Sequence, residues 1–204
     1  MGVEVVVCPA EVGPDDPRSY YSVAKKIAAE RPNAILGNQY DNPANGEAHY
    51  RTTGPEIWAQ MNQAVDAVVC GVGSGGTITG LSRFFARTAP DTKLVLADPV
   101  GSVLAEYVRS GRIGEAGSWL VEGIGEDFVP PIADLSRVHT AYSIPDAESL
   151  HVARELLRRQ GILAGSSTGT LVAAAARYCR EQPAAQRVVT FVCDTGNKYL
   201  SKQF

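Results

Sequence analysis

The feature that most constrains the fold is a short apolar run that passes directly into a glycine-rich turn and then into a helical pattern. The run Ala67-Val-Val-Cys70 predicts a buried strand, and Gly71-Val-Gly-Ser-Gly-Gly-Thr77 predicts a tight turn, because glycine tolerates positive φ and close backbone approach. The helix that follows would direct its free N–H groups at this turn. A strand, a glycine turn and a helix in this order predict a phosphate-binding unit of a parallel α/β sheet.

Further β-branched runs alternate with helical patterns along the chain. This alternation predicts an α/β fold, a doubly wound parallel sheet with helices on both faces. The predicted strands cover residues 3–8, 34–36, 67–71, 93–97 and 188–193, and the predicted helices cover residues 18–30, 53–65, 76–88, 147–160 and 170–180. Residues 37–51 carry turn signals and little periodicity, which predicts a loop.

Composition narrows the class of protein. The chain is 45% hydrophobic and 20% charged, which is sufficient for a packed core. Its formal charge of −3 argues against nucleic acid or an anionic membrane as partner. No signal peptide is visible, and no apolar stretch approaches the roughly 20 residues of a membrane span. The four cysteines stand singly, so we expect a cytoplasmic protein with free thiols and no metal.

The glycine turn alone leaves the ligand open. Gly71, Gly73 and Gly76 spell the dinucleotide fingerprint GxGxxG, and Asp98 follows about 20 residues later, where a ribose 2′-hydroxyl would be bound. On these residues alone the turn fits a nicotinamide or flavin cofactor, another phosphate ligand, or a purely structural turn.

Several further segments, taken together and in order, carry a family resemblance. They are residues 39–45, 52–58, 73–80, 121–128 and 161–169, with His49 between the first two. The chain resembles, over nearly its whole length, the pyridoxal-phosphate-dependent enzymes of the cysteine synthase and cystathionine β-synthase family. Residues 98–102 and 122–128 are most similar to the cystathionine β-synthase branch. The resemblance implies fold type II, the tryptophan synthase β-like fold, with residues 1–36 the remnant of a small α/β substrate domain and residues 37–204 a large cofactor-binding domain.

The resemblance also implies roles for individual residues. The cofactor phosphate would be held by Gly73, Ser74, Gly75, Gly76 and Thr77. Ser167 matches the residue that bonds the pyridine nitrogen, Gln39 lies near the substrate carboxylate, and Gly123 lies near the substrate amine. A neutral hydroxyl at the ring nitrogen favours β-elimination over chemistry that needs a long-lived carbanion.

Each of these residues also has a plain structural interpretation. Ser167 could cap the helix predicted from Thr170, Gln39 could serve as a loop amide, and Gly123 could simply form a turn. His49 is predicted to be structural or at the surface, since no neighbouring pattern indicates a triad or a metal site.

The lysine that forms the Schiff base in this family is missing from the sequence. The family carries it early, in a Ser-x-Lys-Asp-Arg type of segment, and the lysines of this chain lie in other contexts: Lys25, Lys26, Lys93, Lys198 and Lys202. Asn197 and Lys198 also replace the Arg and Asn that usually precede the tyrosine at position 199. We therefore expect no catalytic residue here, and an inactive chain that lacks the N-terminal part of the catalytic core.

The function that the resemblance implies is β-replacement on serine or an activated serine. Synthesis of cystathionine from serine and homocysteine is the first candidate. The alternatives are cysteine synthesis from O-acetylserine and sulfide, and a nicotinamide-dependent oxidoreductase that uses the GxGxxG turn. We expect small amino-acid substrates, no nucleic acid or membrane partner, and either a homodimer or pairing with the missing N-terminal segment.

Overall fold

The computed structural model describes residues 2–9, 12, 13 and 15–202 of the 204-residue chain. The chain forms two compact units, one from Met1 to Asn38 and the other from Gln39 to Phe204.

The first unit contains one helix in its described part, α1 (Tyr20–Glu30). Ser19 caps it, since its hydroxyl accepts the N–H of Ser22 at 3.2 Å. The helix predicted over residues 18–30 is confirmed, but the strands predicted at 3–8 and 34–36 are wrong. A strand needs a hydrogen-bonded neighbour, and the described backbone of this unit provides none, so Val3, Val5 and Val7 remain largely exposed.

The second unit is built on a four-stranded sheet. Its strands are β1 (Ala67–Cys70), β2 (Lys93–Pro99), β3 (Val138–Ile144) and β4 (Val188–Val189). All pairings are parallel, and the order is β3-β2-β1-β4. Strands β2 and β3 lie on one side of β1, and β4 lies on the other, so the order of the strands reverses at β1. This reversal is what a doubly wound sheet requires, as predicted.

Helices cover both faces of this sheet. The helices are α2 (Ala44–Arg51), α3 (Thr53–Gln60), α4 (Gly76–Thr88), α5 (Leu104–Ser110), α6 (Asp146–Gln160) and α7 (Ser166–Glu181), with a 3₁₀ turn at Gly196–Tyr199. Alternate strand residues point to opposite faces. Val68 and Leu96 pack in one apolar cluster with Phe85 of α4, while Val69 and Val95 pack in the other with α7.

Several elements of the second unit differ from the sequence prediction, and α5 was not predicted. Helix α2 replaces a predicted loop because Pro43 lies at its N-cap, where a missing N–H costs nothing. Helix α3 ends at Gln60 rather than residue 65, since Asn62 and Gln63 adopt positive φ. Strand β3 was not predicted, and β4 pairs over two residues only.

None of the described helices is long and apolar enough to cross a membrane. Among the described residues, no group of three or more His, Cys, Asp or Glu side chains is arranged to hold a metal ion.

Asp98 lies at the carboxyl end of β2 and is fully buried. Its Oδ2 accepts the N–H of Ala105, in the first turn of α5, at 2.8 Å, while Oδ1 has no hydrogen-bond partner among the described residues. Burial raises the pKa of Asp98 to about 6, although the bonds from Ala105 and Ser102 and the charge of Arg109 oppose this. A buried carboxyl that holds a helix start is not available to a ribose hydroxyl.

We expect Asp98→Asn to change how stability depends on pH. A carboxyl with a raised pKa in the folded state destabilises that state once it ionises, so the parent loses stability as pH rises from about 4 to 7. The free energy of unfolding of the variant, relative to the parent, should therefore increase by on the order of 2 kcal/mol over that interval. Urea denaturation at both pH values measures this. Asp91→Asn, at an exposed position, is the control, and a pH-independent difference for Asp98→Asn would contradict the expectation.

Candidate active site

A pocket of about 480 Å³ opens at the carboxyl ends of β1 and β4. Open parallel sheets form a crevice where the strand order reverses, because the loops that follow the two central strands diverge there. Gly71 and residues 73–77 follow β1 and line one side, while residues 191–194 follow β4 and line another. We call this cavity the glycine-loop pocket.

The start of α4 faces this pocket without a side-chain cap. Its N-cap residue, Gly75, has φ +91°, and no side chain of the described residues bonds the first-turn N–H groups. A Cβ at Gly75 would lie 2.5 Å from that of Ala133, and one at Gly76 would lie 2.0 Å from Oδ1 of Asn45, so neither position tolerates a side chain. The uncapped amides and the helix dipole favour an anion at this point.

Ser74 adds a hydroxyl to this loop. Its Oγ accepts the side-chain amides of Asn45 at 2.9 Å and Gln39 at 3.3 Å. With both bonds directed at the oxygen, the hydroxyl hydrogen is free to point at a ligand.

His49 connects two threonines at the edge of the pocket. Its Nδ1 lies 2.8 Å from Oγ1 of Thr53, and its Nε2 lies 3.2 Å from Oγ1 of Thr77. Burial lowers the pKa of His49 and keeps the ring neutral near pH 7. If Thr53 donates to Nδ1, then Nε2–H donates to Thr77, and the hydroxyl hydrogen of Thr77 is left for a ligand.

Ser167 is the second residue of α7 and is 4% exposed. The N-cap of α7 is Gly165, so the interpretation of Ser167 as a cap for a helix starting near Thr170 is wrong. Ser166 instead accepts the N–H of Glu122 at 3.2 Å. Ser167 and Cys193 both line the pocket.

Gly123 belongs to a second backbone segment that lies directly on the glycine loop. A Cβ at Gly73 would lie 2.7 Å from the carbonyl oxygen of Gly123, and the N–H of Gly125 donates to the carbonyl of Val72 at 2.8 Å. This close approach places the Gly123 backbone beside the loop that begins α4.

The eight residues predicted for the site all line the glycine-loop pocket. They are Gln39, Gly73, Ser74, Gly75, Gly76, Thr77, Gly123 and Ser167. A phosphate, an aromatic ring and a small polar substrate would each contact some of these residues within one pocket. The role of each one stays a prediction.

The sequence analysis missed several lining residues. His49, predicted to be structural or at the surface, lines the pocket, and so do Cys193, Lys198 and Tyr199. The hydroxyl of Tyr199 donates to Oδ2 of Asp194 at 2.7 Å, and Nζ of Lys198 lies 3.4 Å from the same oxygen. Cys193, Lys198 and Tyr199 could have been predicted, because they follow a strand at the carboxyl edge of the sheet, where ligands bind in such folds.

Comparison with known proteins shows which family the chain is related to. The family model described as "Pyridoxal-phosphate dependent enzyme" matches residues 1–194. Cystathionine beta-synthase of Apis mellifera is 38% identical over 202 residues, which cover 99% of this chain and 40% of that protein. Cysteine synthase 1 of Neurospora crassa is 36% identical over 209 residues, covering 100% of this chain and 55% of that protein.

A solved structure shares the fold. The O-acetylserine dependent cystathionine beta-synthase from Helicobacter pylori superposes with a TM-score of 0.80 at 34% identity, over 87% of this chain and 56% of that one. The chain thus spans about half the length of the relatives it matches. Since the family model covers all but the last ten of 204 residues (204 − 194), this chain belongs to the family of pyridoxal-phosphate dependent enzymes.

Proposed function

We propose that this chain holds the cofactor in an enzyme of sulfur amino acid metabolism that carries out β-replacement on serine or an activated serine. The favoured reaction joins serine and homocysteine into cystathionine. The observation that carries the proposal is the convergence of an uncapped helix start, the Ser167 hydroxyl and the Gln39 amide on one pocket.

The donor set fits pyridoxal phosphate. The amides at the start of α4, with Ser74 and Thr77, suit a phosphate dianion, and Gly75 and Gly76 let the loop lie close against Ala133 and Asn45. Ser167 offers one neutral hydroxyl, which suits the ring nitrogen. When bound, the cofactor withdraws electrons from the α-carbon of an amino acid, so that a β-substituent can leave.

The chain's own residues have separate tasks in this proposal. The loop amides and the hydroxyls of Ser74 and Thr77 would hold the phosphate without a basic side chain. Ser167 orients the ring and, being uncharged, does not hold a proton on the nitrogen. Gln39, anchored to the loop through Ser74, presents its amide where a substrate carboxylate would lie.

The alternatives differ in how well the contacts support them. Cysteine synthesis from O-acetylserine and sulfide needs the same pocket, and one relative carries the name cysteine synthase. A nicotinamide-dependent oxidoreductase has less support, because Asp98 is buried and bonds the backbone of α5. We further propose that the chain either forms a homodimer or pairs with an N-terminal segment that carries the lysine.

We expect Ser167→Ala to weaken binding of pyridoxal phosphate about three- to tenfold, the effect of losing one neutral hydrogen bond. Equilibrium titration followed by absorbance of the cofactor measures the dissociation constant. Ser136→Ala, at an exposed serine outside the pocket, should bind like the parent. Equal affinity of Ser167→Ala and the parent would remove Ser167 from the site.

His49→Phe should weaken binding of the phosphate ester by about threefold or more. In the tautomer in which Nε2–H of His49 donates to Oγ1 of Thr77, the hydroxyl hydrogen of Thr77 is left for the phosphate, and phenylalanine cannot make this bond. Binding of pyridoxal without phosphate should not change. The two ligands are compared in the same titration, with His151→Phe, at an exposed position, as the control. A parallel loss for both ligands would indicate a general structural defect instead.

We expect the 204-residue polypeptide alone not to make cystathionine from serine and homocysteine. Among the described residues that line the pocket, Lys198 is the only lysine, and its Nζ faces Asp194. Borohydride treatment with pyridoxal phosphate, followed by mass spectrometry, should reveal no adduct at Lys198, and product assays should stay blank. Formation of cystathionine by the chain would overturn this expectation, and loss of that activity in Lys198→Met would assign it to Lys198.

A further inference from the structure

A second cavity, of about 330 Å³, adjoins the glycine-loop pocket. The two share the walls formed by Gln39, Ser74 and Gly123, so a ligand in one would lie beside a ligand in the other. The second cavity adds three side chains of its own, Tyr40, Trp119 and Glu126. We call it the Tyr40–Glu126 cavity.

The backbone of Glu126 is firmly held. Its N–H donates to Oγ of Ser102 at 3.0 Å, and its carbonyl accepts the N–H of Val103 at 3.0 Å. Both partners lie just before α5, so the residue is tied to a buried part of the sheet unit. The side chain therefore starts from a fixed point at the cavity wall.

The carboxylate of Glu126 also has a defined direction. Its Oε1 accepts the hydroxyl of Tyr40 at 2.7 Å. The ring of Tyr40 in turn packs against Phe128, with 5.9 Å between ring centroids. A carboxylate oriented in this way is preorganised to receive a ligand.

The charge of Glu126 lacks a cation. Among the described residues, no Lys or Arg forms an ion pair with it. Burial raises the pKa of Glu126, the Tyr40 bond lowers it, and repulsion by Asp127 raises it further. A half-buried carboxylate with one hydroxyl donor gains most from a positive charge.

We propose that the Tyr40–Glu126 cavity binds the ammonium group of a thiol-bearing amino acid, the second substrate of the β-replacement. This rests on the proposed function, since it assumes that the first substrate occupies the glycine-loop pocket and commits its own amine to the cofactor. Sulfide carries no ammonium and makes no use of Glu126. The indole of Trp119 on the same wall adds a surface that attracts cations.

A pair of ligands tests the proposal without any variant. L-homocysteine and 4-mercaptobutyrate have the same thiol and carboxylate, but only the first has the ammonium. Calorimetric titration of the whole chain should give homocysteine at least about tenfold tighter binding, as expected for one charge-assisted contact. Pyridoxine 5′-phosphate, an alcohol that cannot react with amines, fills the cofactor pocket, and a second titration omits it.

Two variants assign the effect to one carboxylate. Glu126→Gln keeps the size of the side chain and an acceptor for Tyr40 but removes the charge, so the preference for homocysteine should vanish. Asp127→Asn removes an exposed charge one residue away that does not line the cavity, and the preference should stay. Far-UV circular dichroism checks that both variants fold.

The outcomes separate this inference from the proposed function. Equal binding of the two ligands by the parent, or an unchanged preference in Glu126→Gln, would overturn the inference. If pyridoxine 5′-phosphate fails to bind while homocysteine is still preferred, the proposed function fails and the ammonium site stands. If both ligands bind tightly and with equal affinity, the thiol and not the ammonium group is recognised. That result would favour sulfide as the second substrate.

Discussion

The uncapped start of helix α4 is the constraint on which the rest of the site depends. Strand β1 is buried on both faces, so the chain must turn within a few residues at its end, and Gly75 makes that turn at positive φ. Among the residues that the structure describes, no side chain accepts the amides at the helix start. A buried strand that ends in free N–H groups favours an anion, and Ser74 and Thr77 add hydroxyls at the same point.

The parallel sheet explains how residues far apart in the sequence reach this point. The carboxyl ends of parallel strands lie at one edge of the sheet, so the loops after β1 and β4 meet there. Helix α7 brings Ser167 to the same edge, and the glycine segment at Gly123 lies on the loop at Gly73. Small residues at both positions let two backbones approach closely enough to share one pocket.

Three carboxylates near this edge illustrate how burial and partners decide a role. Asp98 is wholly buried and holds the start of α5, Asp194 receives Tyr199 and Lys198, and Glu126 has a single hydroxyl donor and an open cavity in front of it. The residue type is nearly the same in all three. What differs is whether the folded chain itself supplies the compensating donor or charge.

Local sequence was sufficient for the glycine loop and for α4 with its bounds, because strand, turn and helix signals there are short-range and mutually consistent. Gln39, Gly123 and Ser167 were predicted from the family resemblance and not from a local pattern, and all three line the pocket. It failed for α2, because Asn42, Pro43 and Asn45 at its start are turn-forming residues. It also failed for residues 3–8, which are mostly apolar but pair with no strand in the described part of the chain. It also could not place His49 between two threonines or Tyr40 on Glu126, 86 positions apart. Those contacts depend on which elements pack together, and only the tertiary structure determines that, because hydrogen bonds between distant side chains leave no local pattern.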